Sequence, residues 1–194
     1  MRLDLLRHGV TALNDAARFN GWRDDGLTQQ QRRRLERVRF DWRRYDVVYC
    51  SPLVRCVETA ACLGVASYRP EPRIVERGLG IFEGLTAEQC RERYPHDFAR
   101  FLEFDESYRI PEGESRAENL ARVMSWLEEA IRFERVLAIT HGGTIDFVYR
   151  LATGHTLHGG AEIFAGANAA LSEFDVEWLA ERPAVRLVEF ARAL

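Results

Sequence analysis

Three short runs of apolar residues are separated by stretches in which apolar positions recur every three or four residues. The runs are Leu3 to Leu6, Val47 to Cys50 and Val136 to Thr140, and each predicts a buried strand. The tail, from about Asn168 to Leu187, predicts two further strands. Polar residues and turn residues follow each of the three apolar runs directly.

Helices are predicted between the strands from apolar spacing and from end signals. Ser51-Pro52 supplies an N-cap residue and a proline for the first helical position, which predicts a helix through Thr59 and Leu63. Thr86-x-x-Gln89 resembles a capping box. A helix near Ile145 to Leu151 follows the last run. The predicted buried faces are Leu35, Val38 and Trp42 after Thr28, and Leu120, Val123, Leu127 and Ile131 in a long helix.

The alternation of strands and helices predicts the fold class. It indicates an α/β protein, a three-layer α/β/α sandwich with helices on both faces of a mostly parallel central sheet. No internal repeat, low-complexity tract or Pro/Gly/Ser-rich linker divides the 194 residues. We therefore expect residues 1–194 to form a single domain.

The composition excludes several kinds of chemistry. All 27 basic residues are arginine, so Schiff-base, pyridoxal-phosphate and P-loop lysine mechanisms have no lysine to use. Arginine instead favours bidentate binding of carboxylate or phosphate. The net charge of −3 provides no basic field for nucleic acid, so no nucleic-acid partner is expected.

Location and partners follow from the same reading. No apolar run approaches the roughly 18 residues that cross a bilayer, and the first residues become polar too quickly for a secretory signal. We expect a cytoplasmic protein with no membrane association. Because dimers are the commonest soluble oligomers, a homodimer is the expected form of any assembly.

The cysteines and one histidine pair are assigned no ligand. Cys50, Cys56, Cys62 and Cys90 include no C-x-x-C pair, and we expect reduced, mainly buried thiols. His155-x-x-His158 with Glu162 is a candidate metal set. Glycines 154, 159 and 160 favour a loop there, and strong metal-ligand spacings are absent. No metal and no cofactor are therefore expected.

The candidate chemistry gathers after the predicted strands. Arg7-His8 follows the first, Ser51 to Arg55 the second, and His141 the Val136 strand. Ligands of open α/β sheets bind beyond the carboxyl ends of the strands, where helix N-termini also point N–H groups at anions. Two histidines and two arginines are thus predicted to meet around a phosphate. The alternative is structural: a polar turn after a strand, and an arginine on a solvated helix face.

The motifs as a set resemble the histidine phosphatase superfamily, which includes cofactor-dependent phosphoglycerate mutases and many small phosphatases. The resemblance extends over residues 3 to 143 and departs at Val10 and Gln31, where the family commonly has glutamate and glycine. The matching motifs are Leu6-Arg7-His8-Gly9 with Thr11 and Asn14, Ser51-Pro52-Leu53-x-Arg55 with Thr59-Ala60, Glu76-x-x-x-Gly80-x-x-Glu83-Gly84-Leu85-Thr86, Gly113-Glu114-Ser115 and Thr140-His141-Gly142-Gly143.

The resemblance implies a phosphoglycerate mutase-like fold and a metal-independent phosphatase mechanism. His8 would be the nucleophile that forms a phosphohistidine, and Glu76 the proton donor. Glu83 would touch substrate hydroxyls or orient its loop. The remaining implied site residues are Arg7, Arg55 and His141 as the catalytic clamp on the phosphate, and Thr11, Asn14, Gly21 and the N–H of Gly142 as further substrate contacts.

Three functions are compatible with these motifs. The first is a phosphomonoesterase for a small phosphorylated metabolite, and the start of the chain with Trp22 to Thr28 resembles α-ribazole phosphatases. The second is a mutase, which the short and mostly acidic stretch from Ala87 to Pro111 disfavours. The third is a non-catalytic phospho-ligand-binding module. Candidate pocket residues are Phe19, Trp22, Arg77 and Tyr108.

Overall fold

A computed structural model of the chain describes residues 1–103, 105–155, 166–179 and 182–194. Within these ranges six strands form one sheet in the order β3-β2-β4-β1-β5-β6. The strands are β1 (Arg2–Arg7), β2 (Val47–Cys50), β3 (Arg69–Pro70), β4 (Arg135–Thr140), β5 (Ala170–Leu179) and β6 (Arg182–Ala193). The contacts among β1, β2, β3 and β4 are parallel, whereas β5 pairs antiparallel with both β1 and β6.

Helices cover both faces of this sheet. They are α1 (Ala12–Asp15), α2 (Gln29–Leu35), α3 (Val54–Cys62), α4 (Ala87–Arg93), α5 (Pro95–Leu102), α6 (Arg116–Ala130) and α7 (Gly142–Thr153), with 3-10 turns at Trp42–Arg44, Pro72–Ile74 and Gly80–Phe82. Leu3 and Leu5 of β1 face α6 and α7, whereas Leu6 faces α2 and α3. The predicted three-layer α/β/α sandwich with a mostly parallel sheet is confirmed.

The register of the parallel strands brings their carboxyl ends to one edge. Arg7 lies opposite Thr140, and Cys50 lies opposite Ile139. The residues that follow these ends, His8, Ser51 and His141, therefore start from neighbouring points. A separate apolar cluster under α4 and α5 lies beside this edge and consists of Phe82, Cys90, Phe98 and Ile110.

Two predicted helix boundaries are wrong. The helix after Thr28 ends at Leu35, and Val38 and Trp42 pack on the same core from outside it. A loop that crosses a core can place apolar residues at helix-like intervals, which explains the error. Ser51 is no N-cap: α3 begins at Val54, whose N–H donates to Asp24 Oδ1 at 2.6 Å.

The apolar pair before Glu76, Ile74 and Val75, forms no strand. Ile74 is buried, but it lies in a 3-10 turn that begins at Pro72. Proline has no N–H for a sheet ladder, and β3 ends two residues earlier. Glu76 therefore lies in an irregular segment, and contacts other than strand pairing must fix its position.

Several local predictions are confirmed. Thr86 and Gln89 form a capping box at the start of α4. All four cysteines are free, and three of them are buried. No helix in the described ranges is long and apolar enough to span a bilayer. The candidate metal residues His158 and Glu162 lie outside the described residues.

Candidate active site

His8 is held in one tautomer directly after β1. Its backbone N–H donates to Thr140 O at 3.0 Å, and its ring Nδ1 lies 2.7 Å from Gly9 O. Because a carbonyl oxygen only accepts hydrogen bonds, Nδ1 carries the proton and Nε2 keeps its lone pair. The residue is 2% exposed and lines the cavity described below. Nε2 is thus the ring atom of His8 that keeps a lone pair beside the cavity.

The surroundings keep His8 neutral. Burial lowers its pKa well below the ordinary value, and the charges of Arg55 and Arg7 lower it further. Burial and Arg55 likewise lower the pKa of His141. A neutral imidazole is the nucleophilic form, so neither ring needs to lose a proton near pH 7.

Arg7 has an unsatisfied donor at the cavity. Its Nη1 donates to Gly166 O at 2.5 Å, whereas its buried Nε has no hydrogen-bond partner within the described ranges. Burial disfavours the charged form of Arg7 and therefore lowers its pKa. The charge of Glu76 opposes this effect, and an anion beside His8 would stabilise the charged guanidinium further.

Arg55 and His141 lie together behind His8. Arg55 is fully buried, and its Nε donates to His141 Nδ1 at 3.2 Å. His141 Nε2 therefore carries the proton and donates to Ser51 Oγ at 2.7 Å. Arg55 also donates to the carbonyl oxygens of Gly21 and Arg23 at 2.8 and 2.7 Å. Neither Arg55 nor His141 is among the residues that line the cavity. The bonds above use three of the five N–H donors of Arg55, and they use the Nε2 proton of His141.

Of the other predicted contacts, Asn14, Gly21 and Gly142 line the cavity, but Thr11 does not. Thr11 is buried and caps α1: its side chain accepts from Asn14 N, and its own N–H donates to Asn14 Oδ1. Gly142 is the first residue of α7, where free N–H groups favour an anion. Thr11 therefore shapes the loop, whereas Asn14 and Gly142 face the cavity.

Glu76 lines the cavity next to the start of α7. Its Oε1 accepts from Arg77 N at 2.9 Å and from Gly143 N at 3.1 Å. The carboxyl group thus lies in the same cavity as His8.

Glu83 is hydrogen-bonded to the loop that contains Trp22. Its Oε1 accepts from Trp22 N at 2.8 Å and from Leu79 N at 2.9 Å. Gly21 has a φ of +52°, and a Cβ there would lie 2.1 Å from Glu83 Oε1. Of the two roles that the resemblance implies for Glu83, the loop-orienting one has contacts in the structure.

The cavity itself has a volume of about 260 Å³. Arginines and apolar side chains share its wall, so it offers an anion site beside a less polar space. Phe19 and Arg77 line it as predicted, whereas Trp22 and Tyr108 do not. Its remaining lining includes Arg18, Leu79, Phe101, Glu106, Arg116, Asn119, Leu120, Asp146 and Phe147. Within the described ranges no three His, Cys, Asp or Glu side chains are grouped to hold a metal ion.

Comparison with known proteins decides the family. The family model of the histidine phosphatase superfamily (branch 1) matches residues 3–189. The chain belongs to the histidine phosphatase superfamily. Its resemblance to that family, inferred from the motifs, is confirmed.

Relatives of the chain include proteins named as phosphatases and as mutases. It is 32% identical to phosphoserine phosphatase 1 of Hydrogenobacter thermophilus over 66% of the chain and 64% of that protein. It is 30% identical to a 2,3-bisphosphoglycerate-dependent phosphoglycerate mutase of a Methylobacterium species, over 84% of the chain and 87% of that protein. A mycobacterial glucosyl-3-phosphoglycerate phosphatase, solved with VO3, is 25% identical with a TM-score of 0.79 over 99% of each chain.

The sequence pattern did not point to some residues of this site. Asn168 Nδ2 donates to His8 O at 3.0 Å, although the sequence marked Asn168 only as the start of the tail. Asn119 and Arg116 line the cavity from the first turns of α6. Their spacing of three residues on the helix that follows Gly113-Glu114-Ser115 was the available signal.

Proposed function

We propose that this protein is a phosphomonoesterase that hydrolyses a small phosphorylated metabolite through a phosphohistidine at His8. The observation that carries the proposal is the His8 ring, neutral and with Nδ1 bonded to Gly9 O, so that Nε2 is a lone-pair donor at the cavity. Arg7 and the N-terminus of α7 supply positive charge beside it.

The reaction proceeds in two steps that share one acid-base group. His8 Nε2 attacks phosphorus as the bond to the leaving oxygen breaks, and protonated Glu76 gives its proton to that oxygen. Glu76 then takes a proton from water as water attacks phosphorus, which breaks the P–N bond and restores His8. Arg7, Asn14 and Gly142 bind the phosphoryl oxygens. Arg55 joins this clamp through its Nη1 and Nη2 groups, and His141 joins it by turning its Nε2 proton from Ser51 Oγ to the phosphoryl group.

The activities of the relatives favour a phosphatase on an organic phosphate. Relatives bear the names phosphoserine phosphatase and, in Arabidopsis thaliana, metal-independent phosphoserine phosphatase. The apolar part of the wall, including Phe19, Phe101 and Phe147, accommodates the carbon skeleton of such a substrate. A ribazole-type nucleoside phosphate is one candidate, and an acidic three-carbon phosphate is another.

Trapping the phosphoenzyme tests this proposal. After mixing with p-nitrophenyl phosphate and acid-free denaturation, we expect one phosphoryl group, acid-labile and located at His8 by mass spectrometry. His8→Ala should abolish it together with phosphate release, whereas the exposed His96→Ala should retain both.

The other functions give distinct outcomes in the same assay. Transfer of the phosphoryl group between 2- and 3-phosphoglycerate faster than its release would indicate a mutase. Saturable phosphate binding without any phosphohistidine would indicate a binding module. A panel of phosphorylated metabolites, followed by phosphate release, then ranks the substrates.

A further inference from the structure

The Gly113-Glu114-Ser115 motif lies outside the cavity but is bonded to the segment that carries Glu76. Glu114 is buried, its backbone N–H donates to Gly78 O at 2.9 Å, and its Oε2 accepts from Gly78 N at 3.1 Å. A Cβ at Gly113 would lie 2.5 Å from Gly78 O. The motif therefore packs closely against the backbone two residues beyond Glu76.

Arg122 of α6 completes this connection. Its Nε and Nη2 donate to the two carboxylate oxygens of Glu114 at 3.0 and 2.9 Å. Its Nη1 donates to Arg73 O at 2.7 Å and to Val75 O at 2.8 Å, and its Nη2 also donates to Glu76 O at 2.9 Å. A guanidinium has five N–H donors, and these five acceptors use them all.

We propose that Glu114 and Arg122 are positioning residues for Glu76, the proton donor of the proposed function on which this inference rests. Glu76 lies in irregular backbone, so no helix or strand fixes its carboxyl group. The planar guanidinium fixes the carbonyl groups of Arg73, Val75 and Glu76 in this segment, which a lysine or an apolar side chain cannot do. Through this backbone the carboxyl group is kept at the start of α7.

The physical chemistry of the pair supports a positioning role. A partly buried ion pair contributes little net stability compared with apolar residues of the same size. Its bidentate geometry instead fixes the orientation of the Arg122 guanidinium. Trp22 Nε1 also donates to Glu76 O at 2.8 Å, which is a further contact on the same backbone. Proton transfer depends steeply on geometry, and a misplacement of about 1 Å can cost about 100-fold in rate.

The test compares two aryl phosphates that differ in leaving group. The kcat/KM values for p-nitrophenyl phosphate and phenyl phosphate both report the step in which the leaving group departs, but phenolate needs the proton more. For Arg122→Met we expect a loss of at least about tenfold with phenyl phosphate and less than about threefold with p-nitrophenyl phosphate. In a Glu76→Gln background, Arg122→Met should leave this ratio unchanged.

Two further variants separate positioning from folding. Glu114→Gln weakens the ion pair without changing the volume of the side chain, and it should shift the ratio of the two kcat/KM values in the same direction as Arg122→Met. It therefore replaces Arg122→Met as the test if that variant does not fold. Arg73→Met removes ion pairs to Glu71 and Glu129 from the same segment, so it should lower the melting temperature and leave the ratio alone.

Equal losses with both substrates in both variants would overturn the positioning role. A change of ratio with Arg73→Met equal to that with Arg122→Met would overturn it too. A wild-type protein that forms no phosphohistidine and hydrolyses neither substrate would instead overturn the proposed function, and the positioning role with it.

Discussion

The rings of His8 and His141 lie 5.2 Å apart between centroids and are tilted by 56° to each other. Both are buried, and Arg55 donates to the second ring. Burial and the charge of this guanidinium disfavour a proton on either ring and lower the pKa of both. The two rings are therefore kept neutral beside a positive charge, and such a place suits a phosphoryl group better than a cation.

This pair makes stability depend on pH. The pKa of each ring is lowered in the folded protein, so below pH 6.5 the unfolded chain binds protons that the folded chain does not. The free energy of unfolding should fall as the pH falls from 6.5 towards the lowered values. The loss is at most about 1.4 kcal/mol per pH unit for each histidine.

Urea unfolding at pH 7.5 and 5.5 measures the effect. His8→Gln should remove one of the two contributions, whereas the exposed His96→Gln should not change the slope. A His8→Gln protein with the wild-type pH dependence would contradict the burial argument.

Glu76 and Glu83 should differ in kinetics. We expect Glu76→Gln to lower kcat/KM by roughly 100-fold for phenyl phosphate and much less for p-nitrophenyl phosphate, because p-nitrophenolate leaves with little protonation. Glu83→Gln should mainly raise KM, since its carboxylate fixes Trp22 and Leu79 rather than facing the cavity. A leaving-group effect that follows Glu83 would reverse this assignment.

Vanadate should inhibit far better than sulfate. Vanadate adopts a trigonal-bipyramidal geometry like that of the in-line transition state, and the site would bind it more tightly than a tetrahedral anion. Initial rates with p-nitrophenyl phosphate and increasing amounts of each ion give the two inhibition constants. EDTA should leave the rate unchanged; a loss that a divalent ion restores would indicate a metallophosphatase.

Gly21→Ala should damage both stability and activity. A side chain at φ +52° costs about 1–3 kcal/mol, and this one would also collide with Glu83 Oε1. The shifted loop would remove an acceptor of Arg55, so kcat/KM should fall. Gly64→Ala is the matched control, because its φ is +70° but nothing lies within 4 Å of the added Cβ. It should lose stability and keep its activity.

Local features of the fold were readable from the sequence. The apolar runs at β1, β2 and β4 each predict a strand that is buried by its neighbours. The residues just beyond these runs lie at the same edge of the sheet because parallel strands share one direction. Thr86 with Gln89 specified a capping box through groups only three residues apart. Such signals involve short stretches of chain, so composition and spacing suffice to show them.

Partners far apart in the chain were decided only by the tertiary structure. Ser51 was expected to cap a helix, but its hydroxyl lies against His141, 90 residues away. Arg122 reaches Glu76 across 46 residues from a helix whose pattern shows only its apolar face. The sequence by itself determined the layers, the strand ends and the types of side chain available for phosphate chemistry. Which polar groups pair could not be read there, because periodicity reports burial while a hydrogen bond depends on where distant backbone segments meet.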